Sequence, residues 1–220
     1  MTGAEFSALL VLATATSFTP GPNTTLSTAL AANFGLRRSM HFVCAVPVGW
    51  GLLLALCAGG LGSLVMAWPT IRWAILLGGV TYLLWLAWRL AGSRRLGEAD
   101  QASLNVTFAQ GVMLQFLNIK AWMLALSITA GWIAGRPDAA MRFALVFPLL
   151  LVFAFLSNLT YASMGSLLRH WLAGPIEGGV ATGRRLRWFN GLMALALVLT
   201  AGWMLISGLG TTNIVQGFPP

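Results

Sequence analysis

From Ala4 to Leu209 the chain is a succession of six apolar blocks whose separators are too short to be domains of their own. The blocks run from about Ala4 to Phe34, Met40 to Ala67, Ile71 to Leu90, Val106 to Ile133, Ala139 to Leu168 and Trp188 to Leu209. A helical bilayer crossing takes ~20 mostly apolar residues, so each block predicts one transmembrane helix. Backbone groups in hydrocarbon have no water to bond. The expected fold class is therefore all-α: a polytopic membrane protein of six transmembrane helices. Of the 220 residues only 8% are charged and 58% are hydrophobic, with a mean hydropathy of +0.80. That is too little charge to cover a water-facing surface. The chain, 1–220, is expected to be a single transmembrane domain with no room for a soluble one.

The net charge of +8 is carried by arginines that fall between the apolar blocks, as in Arg37-Arg38, Arg94-Arg95 and Arg184-Arg185-Arg187. This is the pattern of cytoplasmic loops against anionic lipid headgroups, not of a nucleic-acid surface. The loops and helix ends after blocks one, three and five carry Arg37, Arg38, Arg89, Arg94, Arg95, Arg169, Arg184, Arg185 and Arg187. The opposite side carries Arg72, Arg136 and Arg142. Positive residues stay inside, so both termini are expected outside a bacterial inner (plasma) membrane. No Lys or Arg precedes Arg37; without a basic leader, the first block is expected to remain in the mature protein. Trp68, Trp73 and Trp132 would mark the outer interface, and Trp88, Trp171 and Trp188 the inner one; packing between helices explains any single one of them equally well. Cys44 and Cys57, thirteen residues apart on one helix, lie ~20 Å apart along its axis and cannot pair. They read as small buried side chains, and no metal or cofactor is expected.

Blocks one and two align on blocks four and five at an offset of 101 residues, setting Met40-His41-Phe42 and Pro47 against Met141-Arg142-Phe143 and Pro148. With a larger offset, Arg72-Trp73 meets Arg187-Trp188. Three helices per half oblige the second half to enter from the other side. The expectation is two inverted three-helix repeats, about 1–92 and 106–210, an architecture suited to alternating access.

Two polar breaks interrupt corresponding blocks. In Thr19-Pro20-Gly21-Pro22-Asn23, the prolines remove two donors and leave the Thr16 and Phe18 carbonyls without helical partners. Such a break must face protein or a wet cavity. Asn23, Thr24 and Thr25 sit where a new half-helix begins, with free N–H groups and a positive dipole end. Pro20, Gly21, Pro22 and Asn23 are therefore candidate substrate-binding residues; a kink satisfied by Thr16, Ser17 and Thr19 is the plainer reading. The second break holds Lys120, the only lysine. A charge at mid-membrane costs about 3 kcal/mol even on the lenient insertion scale, so Lys120 should face the interior. Asn118 and Gln115 precede it, and no carboxylate lies in any block's central stretch. Lys120 and Asn118 are a candidate anion site; alternatively, Lys120 bonds the carbonyls freed at Pro20 and Pro22. Asn158, with Ser157, Thr160 and Tyr161, is a further candidate, although interhelical bonding explains such residues equally well. Gly59-Gly60 and Gly78-Gly79 read as close helix packing.

On these residues the chain resembles the LysE (lysine exporter) family of bacterial amino-acid exporters along nearly its whole length. The first-helix motif T-P-G-P-N stands intact as Thr19-Pro20-Gly21-Pro22-Asn23. The third-helix pattern is matched by Gly79, Tyr82, Leu83, Trp85, Leu86 and Trp88. The fourth-helix motif, usually N-P-K-A-W, appears as Asn118-Ile119-Lys120-Ala121-Trp122. The run Gln115 to Lys120 and the stretch Asn158 to Gly165 look like the branch exporting cysteine and O-acetylserine. Ile119 in place of proline removes one cause of a break. Gly49-Trp50-Gly51 stands where many relatives carry an acidic residue, which removes the simplest carboxylate route for protons.

The resemblance implies a secondary transporter that moves an amino acid or derivative out of the cytoplasm on the proton gradient. In that reading Lys120 and the half-helix after Pro22 hold the carboxylate, and Asn23 and Asn118 orient the amine. Its partners would be the amino acid, protons and membrane lipid, with homo-oligomerisation left open. No G-x-x-x-x-G-K-S/T loop is present for a self-contained ATPase. A membrane thiol-redox or metal protein would need paired cysteines or a His/Cys/Asp cluster, and His41 and His170 sit at separate helix ends. A non-transporting assembly subunit is the remaining alternative.

Overall fold

The computed structural model describes residues 1–92, 106–174, 176–177, 180–181 and 183–216. The loop that carries Arg94 and Arg95 lies outside the described residues. The elements are α1 (Gly3–Phe18), α2 (Pro22–Phe34), α3 (Leu36–Ala58), α4 (Leu61–Ala67), α5 (Pro69–Gly92), α6 (Phe108–Leu117), α7 (Ile119–Ile128), α8 (Ala139–Ala173) and α9 (Arg184–Gln216). A π-helical turn, Thr129–Ile133, extends α7. The structure is helical apart from one antiparallel ladder between α8 and α9, with Ile176–Glu177 as β1 and Val180–Ala181 as β2.

Among the described residues, four helical stretches are long and apolar enough to cross a membrane: α3, α5, α8 and Arg184–Gly208 of α9. The pair α6 and α7, bent by 69°, makes a fifth if counted as one span. The first block instead becomes two short helices, α1 of 16 residues and α2 of 13, neither of them long enough alone. The second block is also divided. α3 stops at Ala58 because Gly59 caps it and Gly60 turns into the left-handed region at φ 100°. Gly59-Gly60 is therefore a turn, not the packing contact expected. The tail beyond Leu209 continues as helix to Gln216. Cys44 is half-buried and Cys57 buried, both as free thiols.

Packing follows a pattern of exchange. α2 lies along α8 and α6 lies along α3; α5 and α9 pair with each other. One core joins α2, α3, α5 and α9 through Leu26, Phe42, Leu83, Leu86 and Leu197. A second gathers Leu9, Leu53, Leu54, Trp122, Ile128 and Leu150 from α1, α3, α7 and α8. Glycine lets backbones touch, as lipid-embedded helices require. A Cβ on Gly165 of α8 would overlap the Thr28 carbonyl of α2. Between α2 and α9, buried Asn33 and Asn190 exchange reciprocal amide bonds of 2.8 and 3.0 Å.

α1 is held differently. Only Leu9 and Ala13 of its 16 residues are buried. At its start, Thr2 and Glu5 form a reciprocal cap. Glu5 pairs with Arg142 of α8 at 3.2 Å and with Arg136 at 3.6 Å, and its carbonyl accepts from the Trp132 indole at 3.0 Å. Trp132, read as an outer-interface marker or a packing residue, is half-buried and ties the π-helical turn to the start of α1. Arg142 also bonds Asp138, the residue before α8, at 2.8 Å. That hydrogen bond holds the Asp138 carboxyl below its ordinary value. The pair's stabilisation is present above about pH 4, the unfolded value, and is lost as pH falls through the lower folded one.

Candidate functional site at two helix breaks

At the first break, Thr19 caps α1 and Gly21, in extended backbone, caps α2. Pro22 occupies the first helical position, where its missing N–H costs nothing. Thr24 closes the turn, accepting from the Gly21 amide at 2.9 Å and donating to the Gly21 carbonyl at 3.1 Å. Both carbonyls orphaned by the prolines find donors. Phe18 accepts from the Tyr161 hydroxyl of α8 at 2.9 Å, and Thr16 from Lys120 Nζ at 3.5 Å.

The second break forms without proline. Asn118 leaves the helical region (φ −96°, ψ 101°) and its side chain caps α7 by accepting from the Lys120 amide at 3.1 Å. The Phe116 carbonyl, released by the break, accepts from the Trp122 indole at 2.8 Å. The Leu117 carbonyl turns outward against Gly79 of α5, where a Cβ would overlap it. A side-chain cap, an indole donor and an absent side chain therefore replace the missing ring. Replacing Trp122 with phenylalanine keeps the packing and strands the Phe116 carbonyl. We expect a loss of about 1 kcal/mol, seen as a melting temperature lower by ~2–4 °C in detergent. An unchanged value would mean that the carbonyl finds another donor.

The two breaks meet in one cavity of about 630 Å3 of atom-free space. Its polar lining includes Thr16, Ser17, Gly21, Asn23, Asn118 and Lys120. Val46 and Trp50 of α3, Leu124 of α7, and Leu150 and Ala154 of α8 give it an apolar side. Of the residues singled out from sequence, Gly21, Pro22, Asn23, Asn118, Lys120 and Asn158 line the cavity, and exposed Pro20 does not.

Their environments differ. Lys120 Nζ reaches the Thr16 and Thr19 carbonyls at 3.5 Å each, the long limit of a hydrogen bond. Among the described residues it makes no ion pair. An ammonium group carries three donors, so Lys120 keeps one unused and engages the other two in long bonds. The Asn23 amide is joined to Gln115 by reciprocal bonds of 2.8 and 3.0 Å. Buried Asn158 accepts from Ser27 and donates to the Ala154 carbonyl, both at 2.8 Å. Asn23 and Asn158 thus tie helices together at the cavity wall. Gln115, Tyr161 and Trp122 bond partners across the breaks. In sequence Gln115 stood out as a polar residue ahead of Lys120 and in the branch-like run, Tyr161 as a companion of Asn158, and Trp122 as a motif position.

A family profile described as LysE type translocator matches residues 14–210. The chain is 30% identical over 203 residues to a cysteine/O-acetylserine efflux protein of Klebsiella pneumoniae, covering 91% of this chain and 97% of that protein. It is 28% identical over 169 residues to the protein of the same description in Escherichia coli K12, covering 77% and 86% respectively. No solved structure matches. The multi-pass helical bundle and the matched span, which runs from α1 through both breaks into α9, agree: the chain belongs to the LysE type translocator family.

Proposed function

We propose that this protein is a proton-driven secondary transporter that exports a small amino acid or amino-acid derivative, of the cysteine or O-acetylserine kind, from the cytoplasm. The observation that carries the reading is Lys120: a cation without a carboxylate, facing a cavity where two broken helices meet. Lys120 and the first free amides of α2, at Asn23 and Thr24, receive the substrate carboxylate. Asn118, which lines the same cavity, orients its ammonium group. That role falls to it because the Asn23 amide is bound to Gln115 and the Thr16 and Thr19 carbonyls face Lys120. Asn118 sets the direction of Lys120, Gly21 and Pro22 shape the floor, and Asn158 fixes the α2–α8 wall.

In this reading α1 and α2 together make one broken span, bringing the total to six. The two halves form inverted three-helix repeats with both termini outside. The exchange of helix partners supports it at the level of whole spans: the first packs on α8, chiefly through α2, and the fourth packs on α3, chiefly through α6. Pro47 of α3 and Pro148 of α8, aligned by the sequence offset, both lie inside long helices.

The test is transport by the purified protein in liposomes, supported by amino-acid measurements in cells and medium with and without expression. Expected is saturable movement of cysteine or O-acetylserine that follows an imposed pH gradient and collapses with a protonophore. Movement no faster than in empty liposomes across the amino-acid set would refute the proposal; movement indifferent to pH would refute the coupling alone.

A further inference from the structure

α7 is a partition between two cavities. Lys120, Ala121 and Leu124 line the site just described, whereas Ile119, Trp122, Met123, Leu126 and Ser127 line a second cavity on its other side. The opposite walls are α4, the first turns of α5 and Ser207-Gly208 of α9. This second cavity is a partly open cleft with about 1020 Å3 of atom-free space, and its walls are mostly apolar. That is room for a chain of carbons.

Its polarity runs in one direction. Arg72, in the first turn of α5, stands at the end of the bundle that also carries Glu5 and Asp138. Among the described residues the Arg72 side chain makes no hydrogen bond or ion pair, and no Asp or Glu lines the cavity. Ile119, at the helix break, lies deep. The eight steps from Ile119 to Ser127 rise ~12 Å, close to the ~15 Å half-thickness of a hydrocarbon core. A cationic mouth at headgroup level above an apolar shaft to the midplane is the complement of a phospholipid.

We propose that this cavity binds a phospholipid with an anionic headgroup, its phosphate on Arg72 and one acyl chain lying along α7 as far as Ile119. A zwitterionic headgroup would bring an ammonium for which the mouth offers no carboxylate. Nor would the ammonium group of a free amino acid find a carboxylate on these walls. The bound chain packs against α7 and fixes the position of the half-helix whose other face carries Lys120. That last consequence rests on the transport reading; the binding does not.

The experiment therefore reads binding directly. The full chain is placed in phosphatidylcholine vesicles with a trace of phosphatidylglycerol bearing a photoactivatable diazirine on its acyl chain. A matched phosphatidylcholine probe is run alongside, and labelling is mapped by peptide. Expected is several-fold stronger labelling of Met123 to Ser127 by the anionic probe, a preference that high salt reduces. Arg72→Gln should bring the two probes level and Arg72→Lys should keep most of the difference. Ser127→Phe, which fills the shaft, should remove labelling of this segment by both. Equal labelling of the wild-type segment by the two probes overturns the proposal, as does labelling that survives Ser127→Phe. Should Arg72→Gln fail to fold, the wild-type probe ratio and its salt dependence decide. A transport-dead protein that keeps the anionic preference leaves the lipid site standing and counts against the transport reading alone.

Discussion

Replacing Lys120 with methionine is expected to reduce transport by about two orders of magnitude while leaving the fold intact or stabilising it. The two readings of this lysine make opposite predictions about stability. A structural lysine holding the end of α1 would take stability with it. The contacts to the Thr16 and Thr19 carbonyls are 3.5 Å long, too long to repay the cost of a charge in the membrane, about 3 kcal/mol. Methionine has a similar reach and removes that cost. Losing the cationic partner of a bound carboxylate costs 2–5 kcal/mol, and about 3 kcal/mol corresponds to ~150-fold. The measurement pairs transport in liposomes with thermal unfolding in detergent. A variant that transports normally removes Lys120 from the site. One that loses transport and melts much earlier returns it to a structural role.

Gly79→Ala should be among the most damaging single methyl additions in the protein. The new Cβ would overlap the backbone carbonyl of Leu117, and a carbonyl cannot rotate away as a side chain can. Overpacking of this kind costs about 3 kcal/mol or more, which lowers a melting temperature by roughly 10 °C in a chain of this size. The neighbour is the control. A Cβ on Gly78 meets only the flexible Leu117 side chain, at 3.3 Å, so Gly78→Ala should cost under about 1 kcal/mol. If the two variants melt together, helix packing is not what holds the second break open. Because Leu117 adjoins Asn118, Gly79→Ala should also disturb transport where Gly78→Ala does not.

What could be read in the sequence was whatever had a local cause. The double proline dictates the first break wherever the helix lies, and Pro20 and Pro22 name the carbonyls it frees. Lys120 announced an interior polar site because few other places in a bilayer accept it. The tertiary partners had no local signature. That Tyr161 would cover the Phe18 carbonyl depends on how α8 lies against α1. That the second break survives with Ile119 depends on Trp122 and on the absence of a side chain at Gly79 in another helix. Gly59-Gly60 was misread for the converse reason: small residues serve packing and turning equally, and only the positive φ of Gly60 distinguishes them. Asn23 and Asn158 line the cavity, but their amides are engaged with Gln115 and with Ser27, pairings that span 92 and 131 residues of sequence.

α1 is fastened at both ends and little in between. Glu5 and Trp132 secure its start, Tyr161 and Lys120 hold its final carbonyls, and two buried side chains hold its middle. Segments with few buried contacts open at free energies well below that of the whole fold. The amides of α1 should therefore exchange with solvent deuterium before those of α3 or α8, and sooner still once Glu5→Gln weakens the ion pair with Arg142. The wall of the cavity that carries the Thr16 and Thr19 carbonyls belongs to the part of the protein that comes away most easily.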